Sequence, residues 1–237
     1  AIAMVMFSDN LQLLEKAFCT LRSLCSDSDD NKHNVARSPG VVDAIVSTMQ
    51  LYRDNPKIQS SAAWTLGGIG SFPPAAIYIG ENGGIDVIAR AMYLHDGCQS
   101  VAKQSCYALE VLSAPENKNY TLMVEIGVIG AVIHVMQANS DNPGIQASCC
   151  MVLSNLAKVN TSIKRKIVEK EALDCIAISM VMHGDHRRLQ HNACSVLCSL
   201  LCEATFDSLL AAGATELMHA ASTTFPAECR DNTKMMM

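Results

Sequence analysis

The sequence is poor in aromatic and charged residues. Of its 237 residues, 5% are aromatic, one is tryptophan and 17% are charged. The 49% that are apolar are mostly Ala, Leu, Ile, Val, Met and Cys. Such small or flexible side chains suit closely packed helices better than a β-sandwich, which favours aromatic and β-branched residues. The apolar content also excludes disorder as the main state of the chain.

The sequence also lacks an excess of positive charge and a long apolar run. The formal net charge of -5 argues against general nucleic-acid binding, which needs a broad basic field. No uninterrupted apolar run approaches the roughly 20 residues that span a bilayer. Residues 1–7 are apolar, but they are few and lack a basic flank, so they make a poor signal peptide. Because the chain starts at Ala1, we expect a fragment, and an upstream targeting or acylation signal stays open.

The eleven cysteines do not form a recognisable disulfide framework. Their number is odd, their spacing is irregular, and seven fall inside apolar helical patterns where a thiol acts as a small hydrophobe: Cys19, Cys106, Cys149, Cys150, Cys175, Cys194 and Cys198. This usage predicts a reducing compartment. We expect a cytoplasmic protein, with peripheral attachment to an organelle membrane left open.

Two families of segments repeat along the chain with one period. The first comprises IQSSAAWTLGGIG (58–70), VAKQSCYALEVLS (101–113), IQASCCMVLSNLA (145–157) and LQHNACSVLCSLL (189–201), with a further copy at 13–25. The second comprises GVVDAIVSTM (40–49), GGIDVIARAM (83–92), GVIGAVIHVM (127–136) and EALDCIAISM (171–180). Successive leucines Leu66, Leu109, Leu153 and Leu197 are 43, 44 and 44 residues apart. The chain is therefore a repeat protein.

Each repeat is predicted to contain three helices. A glycine follows the short first helix in most copies, where a helix end requires the left-handed conformation. The second helix ends in an Asp-Asn-Pro turn at 54–56 and at 141–143, and proline is tolerated in the first turn of the next helix. The third helix carries one broad apolar stripe, which in the first full copy comprises Ile58, Ala62, Ala63, Leu66 and Ile69. Neighbouring repeats must stack to bury it.

The three-helix pattern, with its glycine junction and Asn-Pro turn, resembles the armadillo repeat of β-catenin and importin-α. The resemblance implies an all-α, right-handed α-solenoid. The HEAT repeat is the alternative, although it usually has two helices and lacks this glycine. The predicted domains are a partial repeat at 1–25, full repeats at 30–70, 74–113, 117–157 and 160–202, a partial repeat at 204–222 and a tail at 223–237.

The resemblance implies that the third helices line a concave groove that binds extended peptides. Positions opposite the apolar stripe recur every four residues and are predicted to be exposed. The candidate groove residues are Ser60, Trp64, Lys103, Tyr107, Met151, Asn155, His191 and Ser195. The alternative for Trp64 and Tyr107 is that the rings pack on neighbouring helices. Importin-α-like proteins use ladders of Trp and Asn, and here those ladders are interrupted, so a nuclear-import adaptor is disfavoured.

A basic cluster offers a second candidate surface. Lys164, Arg165, Lys166, Arg187 and Arg188 fall within one repeat, and together they could attract an acidic peptide or an anionic membrane. The alternative is an ordinary solvated helix face.

No catalytic or cofactor motif stands out. Three histidines and three cysteines lie close together between His183 and Cys202, but they lack the compact pairs typical of zinc sites. The glycines at 67, 68 and 70 are not followed by the Gly-Lys-Ser/Thr of a phosphate-binding loop. We expect no enzyme activity, no metal and no cofactor.

The predicted function is therefore a protein–protein interaction scaffold or adaptor. It would bind an extended peptide or helix of another protein along the groove, without nucleic acid. Two alternatives remain at the level of sequence: a lipid-anchored organelle tether whose anchor precedes this chain, and a structural module of a larger cytoskeletal assembly. The oligomeric state stays open.

Overall fold

The fold of the described residues is all helical. A computed structural model describes Met4, Met6 and residues 9–26, 28–38 and 40–233, and it contains no strand within them. The sixteen α-helices of these ranges are α1 Leu11–Cys25, α2 Asp29–Arg37, α3 Val41–Leu51, α4 Pro56–Gly70, α5 Pro73–Glu81, α6 Gly84–Leu94, α7 Gln99–Leu112, α8 Tyr120–Ile126, α9 Val128–Ala138, α10 Pro143–Ala157, α11 Thr161–Glu169, α12 Ala172–Met182, α13 Arg187–Leu200, α14 Phe206–Ala211, α15 Ala214–Thr224 and α16 Pro226–Thr233.

The chain divides into two compact parts, residues 1–131 and 132–237. In the N-terminal part, helix α4 packs between α1 and α7. In the C-terminal part, α13 packs between α10 and α16. The predicted stripe of α4, from Ile58 to Ile69, is completely buried. Stacking of third helices within each part therefore supplies the core, as the repeat pattern requires.

The junction between first and second helices is left-handed in every copy. Gly40, Gly83, Gly127 and Gly213 have φ values of +74°, +81°, +88° and +68°, which confirms the predicted role of these glycines. Glu171 takes the same place before α12 with φ +63°. It is therefore a non-glycine residue held in the left-handed region.

The Asn-Pro turns cap the third helices. Asn55 Oδ1 accepts hydrogen bonds from the N–H groups of residues 57 and 58 at 3.1 and 3.2 Å. Asn142 Oδ1 accepts equivalent bonds from residues 144 and 145 at 3.2 Å. Since a proline follows each asparagine at the first helical position, the turn both begins the helix and satisfies its free N–H groups.

A buried glutamine ties the second helix to the third in three repeats. The Nε2 of Gln146 donates to Met136 O and Asn139 O, both at 2.8 Å. Gln59 and Gln190 make the same pair of bonds to the carbonyls ten and seven residues before them. The repeat at 74–113 has Ala102 in the matching position. This side-chain clamp satisfies carbonyls at the end of the second helix.

Two histidines link consecutive repeats. His95 Nε2 lies 2.7 Å from Arg53 O in the N-terminal part. His183 Nε2 lies 2.7 Å from Ser140 O in the C-terminal part. Each ring follows a second helix and reaches the turn after the second helix of the preceding repeat, so these contacts fix the register of neighbouring second helices.

The end of the chain differs from the sequence-based expectation. Residues 223–237 are predicted to be a tail, yet helix α16 forms within them and packs on α13 and α15. Its Cys229 is fully buried. The helix lacks an apolar stripe, which is why helical periodicity does not reveal it. Residues 234–237 lie outside the described residues.

No single helix among the described residues is long and apolar enough to cross a membrane. One bent pair, Tyr120–Ile126 with Val128–Ala138, passes a test of length and composition, with an angle of 67° between the two helices.

Candidate functional site

The third helices of the N-terminal part present four of the predicted groove residues. Trp64 on α4 is 39% exposed, in agreement with the position that helical spacing gives it. Lys103 on α7 is exposed, and Ser60 and Tyr107 are half-buried. The hydroxyl of Ser60 donates to Lys57 O at 3.2 Å. The two aromatic side chains thus lie on the surface of neighbouring third helices.

The exposed ring of Trp64 carries a cation from the same chain. The guanidinium carbon of Arg22 on α1 lies 3.7 Å from the centroid of the Trp64 ring. This is a cation–π contact, which attracts a guanidinium to the electron-rich ring face. One face of the only tryptophan is therefore occupied by a basic side chain.

A surface depression lies beside this pair. Its volume is about 330 Å³, and its wall includes Arg22, Lys32, Trp64, Gly68, Ser71 and Tyr107. It is formed by α1, α2, α4 and α7, so the site lies entirely within the N-terminal part. We name it the Arg22 depression. Its wall combines aromatic area with basic and hydroxyl groups.

Tyr107 packs against the backbone of α4 because residue 67 is glycine. A Cβ at position 67 would lie 2.9 Å from Tyr107 Cε1 and 3.0 Å from Ala108 Cα. Burial raises the pKa of Tyr107, the negative charge of Glu110 raises it further, and Lys32 opposes both. The phenol therefore stays protonated at neutral pH and can donate a hydrogen bond.

In the C-terminal part, the predicted groove residues are less exposed than in the N-terminal part. Met151 is half-buried, whereas Asn155, predicted to be an exposed amide, is only 9% exposed. Ala147, four residues before Met151 on the same helix, is fully buried. The expected exposure of Asn155 is wrong, because flanking helices cover more of a third helix than spacing along that helix alone indicates.

Ser195 and His191 contact the neighbouring helices. Ser195 Oγ lies 2.9 Å from Ser154 Oγ on α10. His191 Nδ1 lies 2.7 Å from Glu228 O on α16. Both side chains are half-buried and take part in packing within the C-terminal part.

The basic cluster does not form one patch. Lys164 Nζ donates to Leu201 O at the C-terminal end of α13, at 3.0 Å. Arg187 and Arg188 lie in the first turn of that fourteen-residue helix, so about 20 Å of helix separates them from Leu201. Arg187 pairs with Glu228 at 3.2 Å, and Arg188 donates to Ser148 Oγ at 3.3 Å. Arg165 and Lys166 remain exposed on α11.

The thiols serve mainly as core side chains. All eleven cysteines are free, and eight of them are buried. Cys19 is an exception to the sequence prediction, since its side chain is exposed. No group of three or more His, Cys, Asp or Glu side chains that could hold a metal ion occurs in the described ranges.

Solved structures similar to this one cover nearly the whole chain. An engineered protein superposes with a TM-score of 0.84 and 18% identity, over 96% of this chain and 91% of that one. The designed armadillo repeat protein YIII(Dq)4CqI gives a TM-score of 0.82 and 16% identity, over 95% and 92%. The fold is that of the armadillo repeat. A second designed armadillo repeat protein, solved in complex with the peptide (KR)4, gives a TM-score of 0.81 and 15% identity, over 97% and 93%.

Sequence comparison adds a partial match. Protein aardvark of Dictyostelium discoideum is 31% identical over 99 residues, which are 38% of this chain and 13% of that protein. The chain thus spans a small part of the length of that relative. No family model matches the sequence.

Proposed function

We propose that this chain is a non-enzymatic scaffold that binds an extended peptide or helix of another protein on its third helices. The observation that carries the proposal is the exposed Trp64 beside Tyr107 and a depression of about 330 Å³. Exposed aromatic side chains next to a concavity are typical anchors of protein interfaces. The armadillo fold supports the proposal, because one designed protein of this fold was solved with a bound peptide.

The preferred surface is the N-terminal part, on Ser60, Trp64, Lys103 and Tyr107. In the C-terminal part, Asn155 is nearly covered, and His191 and Ser195 contact flanking helices. Met151, the remaining predicted groove residue of that part, keeps partial exposure. A partner that also reached the C-terminal part would meet fewer free anchors there.

The cellular setting is part of the same proposal. Eleven free thiols, eight of them buried, suit a reducing compartment, so we place the protein in the cytoplasm. The partners are other proteins rather than nucleic acid, since the chain has a net charge of -5.

Selection of peptides from a displayed random library tests the proposal. Selected peptides should lose about tenfold or more in affinity for Trp64→Ala, because an anchoring aromatic is worth at least about 1.4 kcal/mol. Phe206→Ala is the matched control, since Phe206 is an aromatic side chain 46% exposed in the C-terminal part. Circular dichroism would verify that both variants fold. Equal binding by the wild type and Trp64→Ala would contradict the proposed surface.

A further inference from the structure

The guanidinium of Arg22 determines which ligand groups can reach the Trp64 ring in the Arg22 depression. Because the Arg22 guanidinium lies 3.7 Å over the Trp64 ring, a cationic or apolar ligand group would have to displace it to reach that face. A guanidinium that stacks on a ring by its face keeps the N–H groups along its edges available to donate. The stacked arginine is thus held in place with donors still available.

Arg22 makes no ion pair with a carboxylate among the described residues. Its other polar contact is a long one to Cys19 Sγ at 3.8 Å. Lys32 Nζ is paired with Asp29 at 2.8 Å, and Asp29 itself is 75% exposed. The negative charge of Glu110 raises the pKa of Tyr107. Of the two cations in the wall of the depression, Arg22 is therefore the one available to bind a ligand.

The remaining polar groups of the wall supplement this charge. The Tyr107 hydroxyl can donate, and Ser71 Oγ, which donates to Gly68 O at 2.9 Å, stands at the rim. Gly68 leaves open space, since a Cβ there would meet nothing within 4 Å. The depression therefore has room for a side chain beside a fixed guanidinium.

We propose that the Arg22 depression binds an anionic oxygen group of a peptide, either a carboxylate or a phosphoryl group, with Arg22 as its main ligand. The inference rests on the proposed peptide-binding function and names the chemical class that the site selects. Arginine suits this role because its planar fork binds such groups in a bidentate manner. The charge preference would be opposite to that of the designed neighbour solved with (KR)4.

Fluorescence anisotropy with dye-labelled octapeptides tests the inference. The probes are (Glu-Leu)4, (pSer-Leu)4, the neutral (Gln-Leu)4 and the cationic (Lys-Leu)4. We expect one of the anionic peptides to bind about tenfold tighter than (Gln-Leu)4, in line with a charge-assisted bidentate contact. The tighter of the two anionic peptides identifies the group as carboxylate or phosphoryl.

Variants of Arg22 separate this preference from peptide binding in general. Arg22→Gln should abolish the preference for anionic peptides over (Gln-Leu)4, while Arg22→Lys should retain part of it. Arg165→Gln, which removes an exposed positive charge on α11, is the control and should change nothing.

Four results would overturn the inference: equal binding of anionic and neutral peptides, a preference that persists in Arg22→Gln, tightest binding of (Lys-Leu)4, or no binding of any probe. If Trp64→Ala weakens the binding of all four peptides equally and the charge of the peptide has no effect, the result supports peptide binding and contradicts the anion site. If no probe binds, the anion site fails as well, and the displayed-library selection then decides the proposed function independently.

Discussion

At the scale of single residues, two adjacent glycines of α4 serve different purposes. A Cβ at position 67 would press on the Tyr107 ring and on the backbone of α7, whereas a Cβ at position 68 would meet open space. Neither glycine has a positive φ. The sequence Gly67-Gly68 therefore combines a packing requirement with an unfilled position in the wall of the Arg22 depression.

These two glycines should respond oppositely to alanine. Gly67→Ala should lower the free energy of unfolding by about 1–3 kcal/mol, because the new methyl group overpacks the contact between α4 and α7. Gly68→Ala should raise it by about 0.5–1 kcal/mol, since alanine is the better helix former and nothing obstructs it. Urea unfolding of both variants measures the difference. Equal effects would contradict the packing role of Gly67.

The sequence predicts the exposure of single side chains only where one helix determines it. Helical spacing correctly places Trp64 at the surface, because exposure there depends mainly on one helix. It does not predict that Arg22 lies on the Trp64 ring, since the two belong to different third helices and no local pattern links them. For the same reason it places Asn155 at the surface, although flanking helices cover it.

At the scale of elements, the junction before α12 carries backbone strain. Glu171 adopts φ +63°, a conformation that costs a non-glycine residue about 1–2 kcal/mol. The other four junctions have glycine at this place. Stability is therefore reduced at the junction between the first and second helices of one repeat.

One substitution at each of two junctions tests whether the backbone of Glu171 is strained. Glu171→Gly should stabilise the protein by up to about 1 kcal/mol, because glycine adopts the left-handed conformation without steric cost. Gly127→Ala should destabilise it by about 1 kcal/mol or more, although its Cβ would meet nothing within 4 Å. Thermal unfolding followed by circular dichroism gives both signs. Destabilisation by Glu171→Gly would show that the carboxylate side chain matters more than the backbone.

The sequence predicts the end of a helix where a capping side chain, a proline or a glycine lies there. Asn55-Pro56 and Asn142-Pro143 each begin a third helix as the sequence indicates, because asparagine caps and proline starts a helix. Helix α16 has no apolar stripe of the kind that marks the third helices, although its Cys229 is buried. Its formation depends on packing against α13 and α15.

At the scale of the whole molecule, stability is expected to reside in local contacts. The repeat period predicts stacked repeats, because each repeat must bury its stripe on a neighbour. The armadillo-like fold is implied by the resemblance of the three-helix pattern, with its glycine junction and Asn-Pro turn, to the armadillo repeat. The position of the binding surface could not be predicted in the same way, since it depends on which third-helix side chains remain uncovered. Repeat proteins commonly depart from a single all-or-none transition.

Gln146→Leu should reveal this local character. The change removes two donated hydrogen bonds and one accepted from Ser179, at a cost of about 2–4 kcal/mol, in the C-terminal part. Trp64 reports on the N-terminal part. The transition seen by circular dichroism should therefore begin at a lower temperature than the one seen by tryptophan emission.

Exposed Gln50 provides the control. Gln50→Leu should leave both transitions in place. Coincident transitions in Gln146→Leu, shifted by the same amount, would instead show that the chain unfolds as one cooperative unit.

The glutamine clamp has a consequence for the motions of the chain on slow timescales. Gln59, Gln146 and Gln190 join the second and third helices of their repeats, and Ala102 leaves the connection between α6 and α7 without such a bond. Local opening of a helix end sets how fast its amide protons exchange with solvent. The amides around 95–102 should therefore exchange earliest among the four equivalent connections, and hydrogen exchange followed by mass spectrometry would measure that order.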